Sequence, residues 1–341
     1  MKAWRCFAVI LALFEFIIVA PSYVTAQDNE PKKDIDLNIG RFSFFLTTRI
    51  MDEGSIQELG FGWDYTNVFS GDLRLRMTTT EKNEEIEGVE DSLNAVKQKI
   101  YEVFLLPFEY VPVKTSLSKL WVGAGGYYYN EALKEKGFFN MPELEILGKE
   151  RVNSYNNDFS LQTLGPVLDA GFSFRGSQWF KASLSVGVVP VFVTWAEQKV
   201  SIVPLLDPDH AEYSQNHWGS PYVYCDLSGV FSLPHVIELA REKTFRPSNW
   251  KLWFSLIYDY SSLRYEVLDF NFDGHDFIWY TPERTVETQS FKIEGALLIP
   301  VGGMHLQVGG GRIFDSMTVD SGTAIRHEKN YLIISGKILN F

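Results

Sequence analysis

The chain has 341 residues, a formal net charge of −12 and 15% aromatic residues. An acidic chain disfavours nucleic acid as a partner, because phosphates select basic surfaces. Only two cysteines occur, Cys6 and Cys225. Because Cys6 lies in a segment predicted to be removed, no intramolecular disulfide is expected.

The N-terminus has the layout of a secretory signal peptide. Two basic residues precede an apolar run from Phe7 to Ala20, and a Val-Thr-Ala box ends at Ala26. We predict cleavage after Ala26, which changes the net charge from −12 to −13 because two basic residues and one acidic residue are lost. Residues 27–35 would then form a short periplasmic segment ahead of the folded part of the chain, residues 36–341.

From residue 36 onward, apolar and polar residues alternate in segments separated by turn residues, which is typical of β-strands. In the clearest segment, Leu59, Phe61 and Trp63 share one parity. No run of 18 apolar residues follows Ala26, so any membrane insertion must use strands. The pattern predicts twelve strands, near residues 36–48, 56–66, 72–78, 99–112, 118–129, 159–174, 179–197, 219–232, 250–265, 287–299, 304–316 and 328–341.

The predicted connections differ in length. An even number of strands, with short turns at one end and long loops at the other, is what a bacterial membrane barrel requires. We therefore expect an all-β fold, a closed up-and-down antiparallel barrel of about twelve strands, with ten as the alternative. The long loops expected outside the cell are 79–98, 130–158, 198–218 and 266–286, and the connection 233–249 is expected in the periplasm.

The last strand reads EKNYLIISGKILNF and ends on an aromatic residue. In this respect the chain resembles the bacterial outer-membrane β-barrel superfamily, in which such a strand is a recurrent assembly signal. Tyr331, Leu339 and Phe341 are the residues that carry the resemblance. It implies location in the outer membrane of a Gram-negative or other diderm bacterium, contact with outer-membrane lipid, and recognition of the last strand by the barrel-assembly machinery.

Charged residues collect on the parity opposite to the apolar one, which predicts that they face the lumen. They could line a narrow water-filled path, or pair with one another and fill the lumen. A barrel of about twelve strands lies between the eight that side chains can fill and the sixteen or more that leave an open channel. The predicted lumen-facing residues are Glu58, Asp64, Asp72, Arg74, Arg76, Lys181, Asp226, Lys251, Asp259, Lys292 and Glu294.

One stretch allows two interpretations. Asp269, Asn271 and Asp273 match the start of a calcium loop, but Tyr280 stands where the bidentate Glu would be. Asp273 followed by Gly274 between alternating apolar residues is also a strong hairpin signal. We favour an extracellular hairpin and expect no metal or cofactor.

The same stretch carries Asp273 and His275, an acid two positions before a histidine that it could orient as a base. This pair resembles half of the catalytic set of the omptins, outer-membrane proteases. Glu143 and Glu145 are the nearest match to the second acidic pair of that family, with Glu in place of both Asp. The resemblance implies cleavage of peptides with paired basic residues.

The sequence most favours a narrow outer-membrane pore or solute-transit barrel that takes small solutes. A surface-exposed structural or adhesive barrel, with host surface ligands as partners, is one alternative. An omptin-like protease is the other. Absence of enzymatic activity is the more favoured expectation.

Overall fold

A computed structural model describes residues 41–65, 68–85, 93–115, 117–140, 152–177, 180–203, 209–219, 222–232, 250–272, 277–301, 304–320 and 322–339. The predicted signal peptide, the segment 27–35, the connection 233–249 and Phe341 lie outside these residues.

Every regular element in the described ranges is a β-strand. These ranges contain no helix that is long and apolar enough to cross a membrane. The sixteen strands are β1 (Arg41–Met51), β2 (Gly54–Asp64), β3 (Phe69–Glu85), β4 (Leu93–Lys114), β5 (Ser118–Asn140), β6 (Val152–Ser177), β7 (Phe180–Val189), β8 (Phe192–Val203), β9 (Asp209–Gly219), β10 (Tyr222–Ser232), β11 (Lys251–Glu266), β12 (Asp269–Phe272), β13 (Phe277–Tyr280), β14 (Glu283–Val301), β15 (Met304–Val319) and β16 (Ile325–Leu339).

Twelve of these strands close into an antiparallel barrel. Strands β1 to β7 pair in chain order, followed by β10, β11, β14, β15 and β16, and β16 returns to pair with β1 from Ser43↔Leu339 to Ile50↔Leu332. The other four strands prolong the wall: β8 and β9 form a hairpin above β7 and β10, and β12 and β13 form one above β11 and β14. The predicted twelve-stranded barrel, closed by its last strand, is confirmed.

The outer face of the barrel is apolar. Leucine side chains such as Leu46, Leu168 and Leu332 are about half exposed and point away from the lumen. Near the periplasmic turns, aromatic rings pack side by side, as in the stack of Tyr65 on Phe108 with centroids 6.0 Å apart. A closed sheet satisfies its own backbone, and an apolar belt with an aromatic girdle suits lipid, so the described wall is built to cross a membrane.

The long loops predicted outside the cell are shorter than expected. Strands β3 and β4 continue to Glu85 and from Leu93, and β5 and β6 continue to Asn140 and from Val152, so each hairpin extends well into its predicted loop. Polar composition does not prevent this, because an antiparallel hairpin pairs its own backbone in water. Cross-strand contacts such as Lys97 Nζ to Glu81 Oε1, at 2.7 Å, accompany the pairing.

Two irregularities alter which residues face inward. In β4 the pairing with β5 shifts between Leu105 and Phe108, on either side of Pro107. The predicted strand 179–197 is wrong as one uninterrupted strand, because Pro190 and Val191 separate β7 from β8. Proline lacks the N–H that a ladder requires, and a two-residue interruption lets the inner parity change.

The hairpin predicted in the stretch 266–286 is present. Asp269 pairs with Tyr280 and Phe272 with Phe277 in a separate two-stranded sheet. Asp273 and His275 at its tip, and Glu143 and Glu145, lie outside the described residues, so the omptin-like set stays a prediction.

A turn at the extracellular end is fastened by Asp320, whose φ of 49° is the one positive value at a non-glycine residue in the described ranges. Its carboxylate accepts bonds from Arg284 Nη1 at 2.8 Å and from the Thr285 backbone N–H at 2.7 Å. These two donors lower the pKa of Asp320, the side-chain bond from Arg284 being the larger cause. Because the pKa is depressed, the contribution of this bond to stability is present at neutral pH and is lost on strong acidification.

The inner and outer faces assigned to β7 predict how much a charged side chain in the apolar outer belt destabilises the barrel. Leu184 alternates with Ser183 and Ser185, which line the lumen, so Leu184 points to lipid. Leu184→Arg should lower the free energy of unfolding by about 2–4 kcal/mol, the range for a cation near the bilayer midplane. Denaturant unfolding in lipid vesicles measures this. Glu212→Arg, on the exposed outer face of β9, is the control and should have little effect. A silent Leu184→Arg would mean that the assigned face of β7 is wrong.

Candidate functional site

The lumen contains two chambers. The inner chamber, of about 310 Å³, lies towards the periplasmic turns and is lined by residues such as Thr47, Ser183 and Ser228. The outer chamber, of about 650 Å³, lies towards the extracellular end and is lined by residues such as Phe159 and Met317. Arg76, Tyr222 and Asp259 line both chambers. We call these three residues, with the rings that pack on Tyr222 and the charged partners Glu102 and Lys292, the dividing layer.

Aromatic rings form one side of the dividing layer. Tyr222 stacks on Tyr127 with centroids 5.3 Å apart and planes 12° apart. Phe104 packs on Tyr127 at 4.7 Å and meets Tyr224 edge-on at 5.5 Å. All four side chains are at least nine-tenths buried. Offset and edge-on contacts of this kind are mutually stabilising, so the rings hold one another in place across the lumen.

Ion pairs form the other side of the dividing layer. Arg76 Nη1 lies 3.2 Å from Glu102 Oε2, and Lys292 Nζ lies 2.8 Å from Asp259 Oδ2. The Tyr222 hydroxyl donates to Asp259 Oδ1 at 3.0 Å and so joins the two sides. A charge in a narrow lumen has lost much of its water and needs such partners. This side of the layer is therefore a polar constriction in which the charges of two cations and two carboxylates cancel.

A second network lies on the wall of the inner chamber around Arg49. The Arg49 guanidinium donates to Glu294 Oε1 at 2.5 Å and to Glu58 Oε2 at 2.9 Å. Glu294 also accepts from the Tyr331 hydroxyl at 2.8 Å, and its side chain is fully shielded from solvent. The network ties β1 and β2 to β14 and β16, on both sides of the closure between the first and last strands.

Two glycines make room for the rings of these networks. Gly311 faces Tyr331 on the neighbouring strand, and a Cβ at Gly311 would lie 2.5 Å from the Tyr331 ring. Gly187 faces Tyr224, where a Cβ would lie 2.1 Å from the ring. Each ring lies across the neighbouring backbone because the facing residue has no side chain.

The outer chamber is lined by apolar side chains and by several polar and charged ones. Ile100, Leu161 and Phe192 are among the apolar residues. Beside them on β4 and β5, Glu131 accepts from Gln98 Nε2 at 2.6 Å and from the Tyr129 hydroxyl at 2.7 Å. Such a chamber can hold a small molecule that offers apolar surface and a few hydrogen-bonding groups.

The predicted lumen residues fall into four groups. Glu58, Asp72, Arg74, Asp226 and Glu294 line the inner chamber, Lys292 lines the outer one, and Arg76 and Asp259 line both. Asp64, Lys181 and Lys251 line neither chamber, although they share the inner parity of β2, β7 and β11 nearer the periplasmic ends.

Tyr331 lies in the lumen, bonded to Glu294, and does not face the lipid. The backbone of Leu339 pairs with Ser43, and Phe341 lies outside the described residues, so the assembly signal stays a prediction. Asp269 accepts from the Tyr280 hydroxyl at 3.1 Å, an arrangement that uses one of the proposed calcium ligands within the hairpin. No group of residues suited to a metal ion occurs in the described ranges.

Sequence reasoning missed Arg49 and the aromatic side of the dividing layer. Arg49 alternates with Ile50 and Thr48, but consecutive aromatic residues at Phe44 and Phe45 hide the period of β1. The aromatic residues were missed for another reason. Tyr222 shares the parity of Asp226, which was placed in the lumen, but a ring is typical of the lipid face and was not considered as a lumen residue.

Loss of the Glu294 carboxylate should destabilise the barrel. Glu294→Gln leaves Arg49 with one acidic partner in a shielded site, and breaking a buried ion pair typically costs about 3–5 kcal/mol. Denaturant unfolding measures the change. The exposed pair of Arg264 with Glu283 supplies the control, since Glu283→Gln should leave the midpoint almost unchanged. Equal midpoints for both variants would contradict a structural role for the Arg49 network.

The sequence matches no protein-family model, and it matches no curated protein. Solved structures with similar strand arrangements include the toluene transporter TodX of Pseudomonas putida, at 9% identity and a TM-score of 0.43 over 88% of this chain and 89% of that one. A FadL homologue of Pseudomonas aeruginosa gives 7% identity and 0.38 over 87% and 88%. The β-domain of the Bordetella autotransporter BrkA gives 8% and 0.34 over 88% and 99%.

The barrel itself decides the class of protein. A closed antiparallel sheet with an even number of strands, an apolar outer belt, an aromatic girdle and a polar lumen is the architecture of bacterial outer-membrane proteins. The described chain therefore has the fold of an outer-membrane β-barrel.

Proposed function

We propose that the protein is a narrow barrel for the transit of small solutes across the outer membrane. The observation that carries the proposal is the pair of chambers in line within the lumen, which share Arg76, Tyr222 and Asp259. A barrel that served only as a scaffold would have no need of internal space, whereas twelve strands are more than side chains alone readily fill.

The dividing layer sets what can pass. Its side chains are long and hold one another through ion pairs and a hydroxyl, so they can change rotamer without breaking the wall. Arg76 and Lys292 lie opposite acidic partners, Glu102 and Asp259. A solute that offers hydrogen-bonding groups can transiently take the place of one of these carboxylates beside its cation. Without such a solute the layer stays closed. The layer thus favours small polar or amphipathic solutes over a free flow of ions.

The two alternative functions, an adhesive barrel and an omptin-like protease, are tested by other experiments. An adhesive barrel would act through its extracellular hairpins and would not depend on the chambers. An omptin-like protease would depend on Asp273 and His275, and His275→Ala would abolish cleavage of peptides with paired basic residues. No contact in the described residues favours either function over transit.

The charges of the lumen should set ion preference. Arg74→Gln combined with Arg76→Gln removes two cations from the lumen and leaves the nearby carboxylates of Asp72 and Glu102. The ratio of cation to anion permeability should then rise by at least about threefold, because charges in a low-dielectric constriction act strongly on a passing ion. Reversal potentials across a planar bilayer measure this ratio.

The matched control replaces two arginines outside the lumen, Arg264→Gln with Arg312→Gln. This pair removes the same charge from exposed positions and should leave the ratio unchanged. Absence of any conductance in the refolded wild-type protein, together with absence of solute flux into vesicles, would exclude transit.

A further inference from the structure

The wall of the barrel is not continuous above the dividing layer. The ladder between β10 and β11 ends at Val223↔Tyr260. Above that level β11 pairs only with β14, and β9 pairs only with β8, as far as the described residues extend. Between β9 and the upper part of β11 there is therefore a seam without backbone pairing in this part of the chain.

Side-chain amides take the place of the missing ladder. Gln215 on β9 accepts from the backbone N–H of Glu266 at 2.9 Å and donates to the carbonyl of the same residue. Gln198 on β8 accepts from the backbone N–H of Leu268 at 2.8 Å and donates to its carbonyl at 3.4 Å. Both glutamines thus bond an exposed backbone edge in the two-point manner of a strand. The Tyr213 hydroxyl also donates to the Glu266 carboxylate.

A small apolar cluster supports the glutamines. Leu268 packs on Val200 and Ile202 on the inner face of β8, and Trp279 packs against the same cluster. The other edge of the segment is fixed by the bond from the Val267 N–H to the Pro282 carbonyl at 3.0 Å. Residues 266–268 are therefore held to β14 by backbone and to β8 and β9 mainly by side chains.

The seam borders the outer chamber. Gln198 and Val267 both line that chamber, from the two sides of the seam. On its outer side the neighbours are polar: Glu212 and Ser214 on β9 are exposed, and Arg264 pairs with Glu283 beside β11. The seam therefore lies above the lipid belt, between the outer chamber and water.

We propose that this seam is the extracellular entrance to the outer chamber and that Gln198 and Gln215 hold it shut between passages. The proposal rests on the transit function. Side-chain hydrogen bonds contribute little net free energy each, since water competes for both partners, whereas a backbone ladder of several bonds opens only as a unit. A wall closed by two amide groups, one hydroxyl and a small apolar cluster opens more often than a wall closed by a backbone ladder. A solute with amide, carboxylate or hydroxyl groups can compete directly for the backbone groups of Glu266 and Leu268.

The test measures access to the outer chamber directly. Ser261 lines that chamber on β11 and does not bond to the glutamines, so Ser261→Cys gives a single thiol probe in a background that carries Cys6→Ser and Cys225→Ser. A charged, membrane-impermeant methanethiosulfonate reagent is added from outside to the protein refolded in vesicles, and the rate of modification is recorded. With Gln198→Ala and Gln215→Ala together, the rate should rise about tenfold, as expected when two hydrogen-bonded contacts are lost.

Matched controls separate opening of the seam from general loosening. Gln57→Ala with Gln162→Ala removes two exposed glutamines from outward positions and should leave the rate unchanged. A probe on the outer face, Ser214→Cys, should react at the same rate with and without the Gln198→Ala and Gln215→Ala substitutions. If the glutamine variant fails to refold, Leu268→Ala tests the same seam through its apolar cluster and should accelerate Ser261→Cys modification too.

The results also distinguish this proposal from the transit function. A rate of Ser261→Cys modification within about twofold of the unaltered protein, in folded glutamine and Leu268→Ala variants, would overturn the seam as an entrance. An equal rise at both probes would overturn it as well. Transit is judged separately by solute flux, so a protein whose seam opens but which passes no solute would refute only the transit function.

Discussion

Every backbone polar group in a lipid bilayer must be bonded within the protein, and this requirement explains most of the molecule. It forces the sheet to close, so β16 pairs with β1. Closure separates an outer face in contact with lipid from an inner face that cannot reach bulk water freely. The outer face becomes apolar, and the inner face can keep charges only where they find partners. The Arg49 network meets both needs, because it pairs buried charges and spans the junction of the first and last strands.

Above the membrane the requirement is relaxed, and the structure changes accordingly. The β12–β13 hairpin leaves the continuous sheet, and within the described residues β9 ends that sheet with a free edge, since water can satisfy edges there. At this level the side chains of Gln198 and Gln215 replace the ladder that is missing between β9 and the end of β11. The seam can open because water can bond to its backbone groups above the membrane. This seam borders the outer chamber.

The sequence revealed the architecture because alternation is a direct record of which face a residue occupies. It predicted twelve strands and the closure, and it placed Glu58, Arg76 and Glu294 on the inner face. It failed where period alone is ambiguous. Tyr222 and Phe104 point inward although rings are usual on the lipid face, and Arg49 lies in a strand whose period is obscured by adjacent aromatics. The hairpin extensions were predicted as loops, because polar strands in water look like loops in sequence.

The division of the lumen also lay beyond sequence reasoning. Two chambers arise from contacts among β3, β4, β5, β10 and β11, and the side chains involved are far apart along the chain. Parity shows that Arg76 and Asp259 face inward, but it does not show that they lie at one level with Tyr222. That arrangement depends on the relative heights of the strands, which the bulge in β4 and the interruption after β7 both alter.

The central claim is that the dividing layer is the barrier in an otherwise passable lumen. Single-channel recording of Tyr222→Ala tests it most directly, because this change removes a ring and the hydroxyl that joins both sides of the layer while leaving the wall intact. The account predicts a conductance clearly larger than that of the wild type, with Tyr128→Ala, whose ring points outward, behaving as the wild type. Equal conductance in Tyr222→Ala and the wild type would contradict the account.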